Sequence, residues 1–167
     1  MCFIIHSLKK LSMKNEMQQD FNVIAEIEMI YKTKVPASKR PAIRSSENAY
    51  AILLANWDKN KIEFVEEFKV LLLNRANKVL GICVISTGTV TGTIADPKLI
   101  FAAALKANAC GIILAHSQPS GSTKPSKADE LITAKIKSGA QYLDINVMDH
   151  IIVTKEGYYS FADEGML

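Results

Sequence analysis

Residues 111 to 129, Gly-Ile-Ile-Leu-Ala-His-Ser-Gln-Pro-Ser-Gly-Ser-Thr-Lys-Pro-Ser-Lys-Ala-Asp, pass directly from an apolar run into a polar, turn-forming loop. The run Ile112 to Ala115 is short, partly β-branched, and bounded by Gly111 on one side and by Pro119 and Gly121 on the other. That pattern predicts a buried strand rather than a helix. Side chains alternate along a strand, so His116 and Gln118 project to one side, roughly 6 to 7 Å apart at Cα. Two such groups can share one metal ion. Further on, Ser126-Lys-Ala-Asp129 suits the opening of a helix, with Ser126 capping free N–H groups and Asp129 in the first turn, where the helix dipole favours a carboxylate. Two readings stay open: a capped helix that needs no ligand, or a loop that folds Asp129 back toward His116 and Gln118. Zinc favours His, Cys or carboxylate over an amide, so spacing alone does not decide between them.

Around this centre, residues 66 to 73 and 79 to 86 are two apolar runs separated by Asn74-Arg-Ala-Asn-Lys78, the pattern of an antiparallel hairpin. Ser45 and Ser46 lead into apolar residues at helical spacing, ending near Trp57. Asp96-Pro97 opens another helix, with Asp as cap and Pro at the first helical position, running to about Asn108. The helix from Ser126 toward Lys137 is expected to end at Gly139 in a left-handed cap. Residues 146 to 153 form a further strand, and Lys155-Glu-Gly157 turns the chain into a terminal hairpin. Nearer the start, residues 22 to 32 alternate like a strand, although their Glu, Met and Ala also suit a helix. Pro36 and Pro41 bracket an extended connector. Strands interleaved with helices yet joined partly by hairpins indicate an α+β or mixed α/β fold.

The motifs His-x-x-Pro-Ser-Gly, Pro-Ser-x-x-Asp and Leu-Asp-x-x-Val-Met-Asp-His-Ile-Ile-Val closely resemble the RadC-like branch of the MPN/JAMM metallopeptidase-type domains, over about residues 64 to 163. The resemblance implies a central, cytidine-deaminase-like β-sheet flanked by helices. It also implies zinc held by two His and the later Asp, a Glu acting as general base, and a Ser assisting the oxyanion. On this sequence those positions are His116, Gln118 and Asp129 for the metal, Glu66 for the base, and Ser126. Glu66 lies two residues before Phe68, as the family pattern requires; Glu67 and Glu63 are alternatives if the register slips, and all three also suit a solvated strand entrance. Gln118 stands where the family has its second His, so zinc is held weakly or not at all and activity is open. The Asp149-His150 pair either orients a ligand or serves as a structural part of a core strand, the reading preferred here.

Composition is that of one globular domain: 167 residues, 49% hydrophobic and 22% charged. Residues 1 to 20 read as a flexible tail and 21 to 167 as the single domain. A net charge of +3 is too mild to imply nucleic-acid binding by itself. A DNA-repair role therefore rests on family association, and residues 1 to 45 do not visibly supply the helical DNA-binding-type region of full-length members. Cys2, Cys83 and Cys110 lack Cys-x-x-Cys spacing, which fits a reducing cytoplasm. The N-terminal apolar stretch is too short for a signal or a membrane span. Two functions follow: a zinc-dependent peptidase or isopeptidase acting on a protein or peptide, or a non-catalytic MPN-type module that binds a protein or nucleic acid.

Overall fold

The most apolar segments of the chain pair with one another in a single sheet. In the computed structural model, which describes residues 34–88 and 95–167, five strands form one mixed sheet in the order β2-β1-β3-β4-β5. These are β1 (Glu67–Leu73), β2 (Val79–Thr87), β3 (Gly111–Ser117), β4 (Asn146–Val153) and β5 (Tyr158–Ser160). β1 and β2 make the antiparallel hairpin that their sequence predicts. Its turn is held by Asn74, whose Oδ1 accepts from the N–H groups of Ala76 and Lys78 at 2.9 Å each. Asn77 takes the left-handed conformation there, φ 54°, which Asn tolerates better than most residues. β1 also pairs antiparallel with β3, and β3 pairs parallel with β4.

A parallel pair needs a long crossover, and here the helix α3 (Lys127–Gln141) supplies it. The helices α1 (Ser46–Ala55) and α2 (Pro97–Lys106) complete the layers. Ser45 and Asp96 cap them as expected, accepting from the N–H groups of Asn48 and Lys98. On one face of the sheet Phe68, Val70, Leu72, Ile112 and Leu114 pack against Ile100 and Ala104 of α2 and Ile136 and Ala140 of α3. On the other, Leu71, Leu73, Ile113, Ala115, Ile151 and Val153 pack with Ala49 and Leu53 of α1, Trp57 and Ile62. Both faces of the central strands are covered, which explains why β1 and β3 are buried along their entire length. This is the expected α+β fold.

One boundary departs from the sequence expectation. Gly139 does not end α3, which continues to Gln141. A Cβ at Gly139 would lie 2.9 Å from Cε2 of Phe101 on α2. The glycine therefore permits two helices to approach closely on one face of the sheet, and the helix end falls to residues beyond it. The strand-like segment at 22 to 32, the tail assigned to residues 1 to 20 and part of the Thr/Gly-rich segment after Ser86 lie outside the described residues. Among the described residues no helix is long and apolar enough to cross a membrane.

Candidate metal centre

The loop after β3 returns directly into α3, so the last residues of a buried strand face the first turn of a helix. His116 lies in β3, buried to 2% exposure. Its Nε2 is 3.6 Å from Oδ1 of Asp129. Asp129 is held there by a capping box: Oδ2 accepts from the backbone N–H of Ser126 at 2.7 Å and from its hydroxyl at 2.6 Å, while Ser126 Oγ accepts from the Asp129 N–H at 3.2 Å. The capped helix and the folded-back Asp129, which the sequence leaves as alternatives, thus occur together. Oδ2 does the capping and Oδ1 faces the histidine. In this arrangement the Ser126 proton is given to Asp129, so the hydroxyl orients the carboxylate and does not point outward as an oxyanion donor.

On the other side of the His116 ring, Nδ1 is 2.9 Å from Nε2 of His150. His150 is fully buried, and its Nδ1 lies 2.6 Å from the hydroxyl of Thr133 in α3. Phe161 stacks on His150 at 4.8 Å between ring centroids, and Phe68 lies nearly parallel to His116 at 6.3 Å. These apolar walls determine the electrostatics. Burial lowers the pKa of His116, with the Asp129 charge opposing it. Burial also drives that of His150 well below the ordinary value, with His116 adding to the effect. Burial thus favours the neutral form of both rings, the form in which imidazole binds metals.

Why His150 reaches His116 follows from the sheet. The register of β3 on β4 places Ile112 beside Val147 but Ile113 beside Asp149, so Met148 is an extra residue in a bulge. The bulge reverses the alternation, and His150 joins Val147 on the face that carries Leu114 and His116. Asp149 is displaced from the site. Its carboxylate accepts from Ser160 Oγ, Ala162 N and His150 N, and burial is the main cause of its raised pKa. The pair is not a carboxylate–histidine couple through the ring. His150 is a core residue, as the sequence suggests, and also bonds the candidate ligand.

Strand register likewise separates the three glutamates. Phe68 pairs with His116, so Phe68 and His116 share a face, and Glu66 is the half-buried residue just before β1, its carbonyl accepting from the N–H of Gly88 at 2.8 Å. Glu67 projects to the opposite face. There it accepts from Thr87 Oγ1 and lies 3.4 Å from Nζ of Lys69, which in turn sits over the Trp57 ring. Glu63 is exposed and paired with Lys155 at 3.1 Å. Gln118 lines an open groove of about 240 Å³ with Glu63, Pro119, Ser120, Thr154 and Lys155. Among the described residues its amide makes no hydrogen bond to His116 or Asp129, and no group of three His, Cys, Asp or Glu is placed to hold a metal. Sequence reasoning missed Thr133 altogether. Its position four residues after Asp129, where a helical hydroxyl can bond the carbonyl one turn back, was the available signal.

A mixed sheet covered by helices on both faces, with a histidine and a carboxylate meeting where a central strand gives way to a helix, defines an α+β domain of the JAB/MPN type. The family model of the RadC-like JAB domain matches residues 43–166, and the chain belongs to that family. Among curated relatives, a UPF0758 protein of Flavobacterium johnsoniae is 48% identical over 101 residues, covering 60% of this chain and 44% of its own length. A UPF0758 protein of Rubrobacter xylanophilus is 33% identical over 167 residues, covering 98% of this chain and 70% of its own. UPF0758 protein YeeS of Escherichia coli is 42% identical over 102 residues, 61% of this chain and 69% of its own. Against the Flavobacterium relative the match spans less than half of that protein.

Proposed function

We propose that this domain binds a divalent cation between His116 and Asp129 and hydrolyses an amide-type bond in a protein or peptide. One observation carries the reading. Each of the two side chains has one atom engaged by neighbours and one atom left over, and the two remaining atoms, Nε2 and Oδ1, face each other at 3.6 Å. Ligand atoms on a tetrahedral zinc with bonds of about 2.0 to 2.1 Å stand roughly 3.3 Å apart, so a nitrogen and an oxygen of suitable chemistry are already near the required spacing. The donor set fits the ion, although it is one strong ligand short of the usual three. Gln118, near the exit of β3, is the candidate weak third donor.

A bound divalent cation supplies Lewis-acid chemistry, polarising a carbonyl and making water more acidic. The protein residues do the rest. Ser126 holds the Asp129 carboxylate through two hydrogen bonds, and the burial of His116 keeps its imidazole neutral and available. Glu66, just before β1 and outside the ligand pair, serves as the proton acceptor, a role that a ligand could not combine with coordination. The partial ligand set also leaves room for a second reading, a non-catalytic binding module. It is supported by the place of Gln118 in the groove with Glu63 and Lys155.

Zinc affinity measured by chelator competition on the purified protein, beside His116→Ala and Asp129→Ala, tests the metal reading. Binding that disappears in both variants is expected, and equal binding in all three proteins would refute it. Peptide hydrolysis by the zinc-loaded protein, compared with Glu66→Gln, then separates the enzyme from the module. Activity lost in Glu66→Gln at unchanged zinc affinity supports the enzyme, whereas zinc binding without turnover supports the module.

A further inference from the structure

The hydrogen bonds behind His116 admit one arrangement of protons. Thr133 Oγ1 lies 2.6 Å from the backbone oxygen of Asp129 and 2.6 Å from His150 Nδ1. A carbonyl oxygen only accepts, and a hydroxyl has one proton, so that proton goes to Asp129. The second contact then needs a proton from the ring, which places it on His150 Nδ1. A neutral imidazole carries one N–H, so His150 Nε2 is an acceptor, and the 2.9 Å contact with His116 requires that His116 donate from Nδ1. His116 Nε2 is left with its lone pair, directed at Asp129 Oδ1.

We propose that Thr133 and His150 are positioning residues which fix the tautomer of His116, so that Nε2 is presented as a bare donor. This deepens the metal reading above and rests on it for its purpose, though not for its proton assignment. The connection closes on itself. It starts at the carbonyl of Asp129, passes through Thr133, His150 and His116, and returns to the carboxylate of Asp129. One residue of α3 thereby supplies a ligand atom and anchors the partner ligand's orientation. The two donors are set relative to each other by the first turn of a helix and one bulged strand, both rigid elements. The arrangement also explains why a buried histidine occupies β4 just ahead of the aliphatic run Ile151 to Val153. A pair of facing lone pairs is unfavourable unless a cation or proton lies between them, and an arrangement that enforces it suits a site built for a cation.

Two-bond proton–nitrogen correlation spectra of ¹⁵N-histidine-labelled, metal-free protein near pH 7.5 read the tautomers directly. The wild type is expected to show His116 protonated at Nδ1, and a proton on Nε2 overturns the proposal without any variant being needed. Thr133→Val keeps the side chain's shape and removes the hydroxyl. It is expected to abolish the single Nδ1–H tautomer of His116 and to weaken zinc binding about 10- to 100-fold, the usual effect of losing a group that orients a ligand. Thr133→Ser should restore both, which a merely structural role for the methyl group would not. An unchanged His116 tautomer and unchanged zinc affinity in a folded Thr133→Val protein refute the relay. A wild type that binds no zinc but shows the Nδ1–H tautomer, lost in Thr133→Val, retains the relay and removes only the metal reading.

Discussion

The buried histidine pair should make this domain acid-sensitive well above the range in which carboxylates titrate. Histidine has an ordinary pKa near 6.5, and burial lowers both His116 and His150 from it in the folded state. Below pH 6.5 the unfolded chain takes up protons that the fold excludes, so stability present above 6.5 is lost as the pH falls toward the folded values. Each histidine kept neutral contributes a slope of up to about 1.4 kcal/mol per pH unit, and the pair up to about 2.7. Asp129 beside His116 reduces the share of that residue, which leaves His150 as the cleaner contributor. Asp149 acts in the opposite sense, because its raised pKa removes stability as pH rises from the ordinary carboxylate range. The comparison with His150→Phe, which keeps a ring to stack on Phe161, cancels that term. Urea midpoints measured from pH 7.5 to 5.5 should give a wild-type slope below 6.5 steeper than that of His150→Phe by about 1 kcal/mol per unit. Equal slopes would refute the claim that His150 is held neutral by the fold. The third histidine, His6, is common to both proteins and also cancels.

Ser126→Ala should lower unfolding stability by about 0.5 to 2 kcal/mol through loss of the cap on α3, with an unchanged urea midpoint counting against that role. Gln118→His adds an imidazole near the candidate ligands. Structural zinc sites bind with roughly 10 to 16 kcal/mol over four ligands, so calorimetric titration should show affinity rising on the order of a hundredfold, provided His116 and Asp129 are kept. No gain would mean that residue 118 faces away from the ion. Gly139→Ala brings a methyl against Phe101 and should destabilise by about 1 kcal/mol or more despite the better helix propensity of alanine. In a Phe101→Leu background the same change should be neutral or stabilising, so additive thermal shifts would refute the helix-contact explanation.

Apolar periodicity and turn chemistry suffice to place the strands, the hairpin and the three helices within a few residues, because such patterns report local backbone preference and burial together. The capping box is equally legible, since Ser126 and Asp129 are neighbours in sequence and satisfy each other within one helical turn. Gly139 shows where that legibility ends: a glycine near a helix terminus suits a cap, and only the approach of Phe101 from another helix reveals that it serves close packing. The sequence names Glu66 through family pattern alone, and the pairing of Phe68 with His116 sends its neighbour Glu67 to the opposite face. His150 depends most on tertiary structure. Strict alternation along β4 would put it on the face opposite Val147, and the one-residue bulge at Met148 brings it against His116 instead. A bulge is set by how one strand registers on its neighbour, here bringing together His116 and His150 from 34 positions apart, a non-local fit that no local pattern encodes.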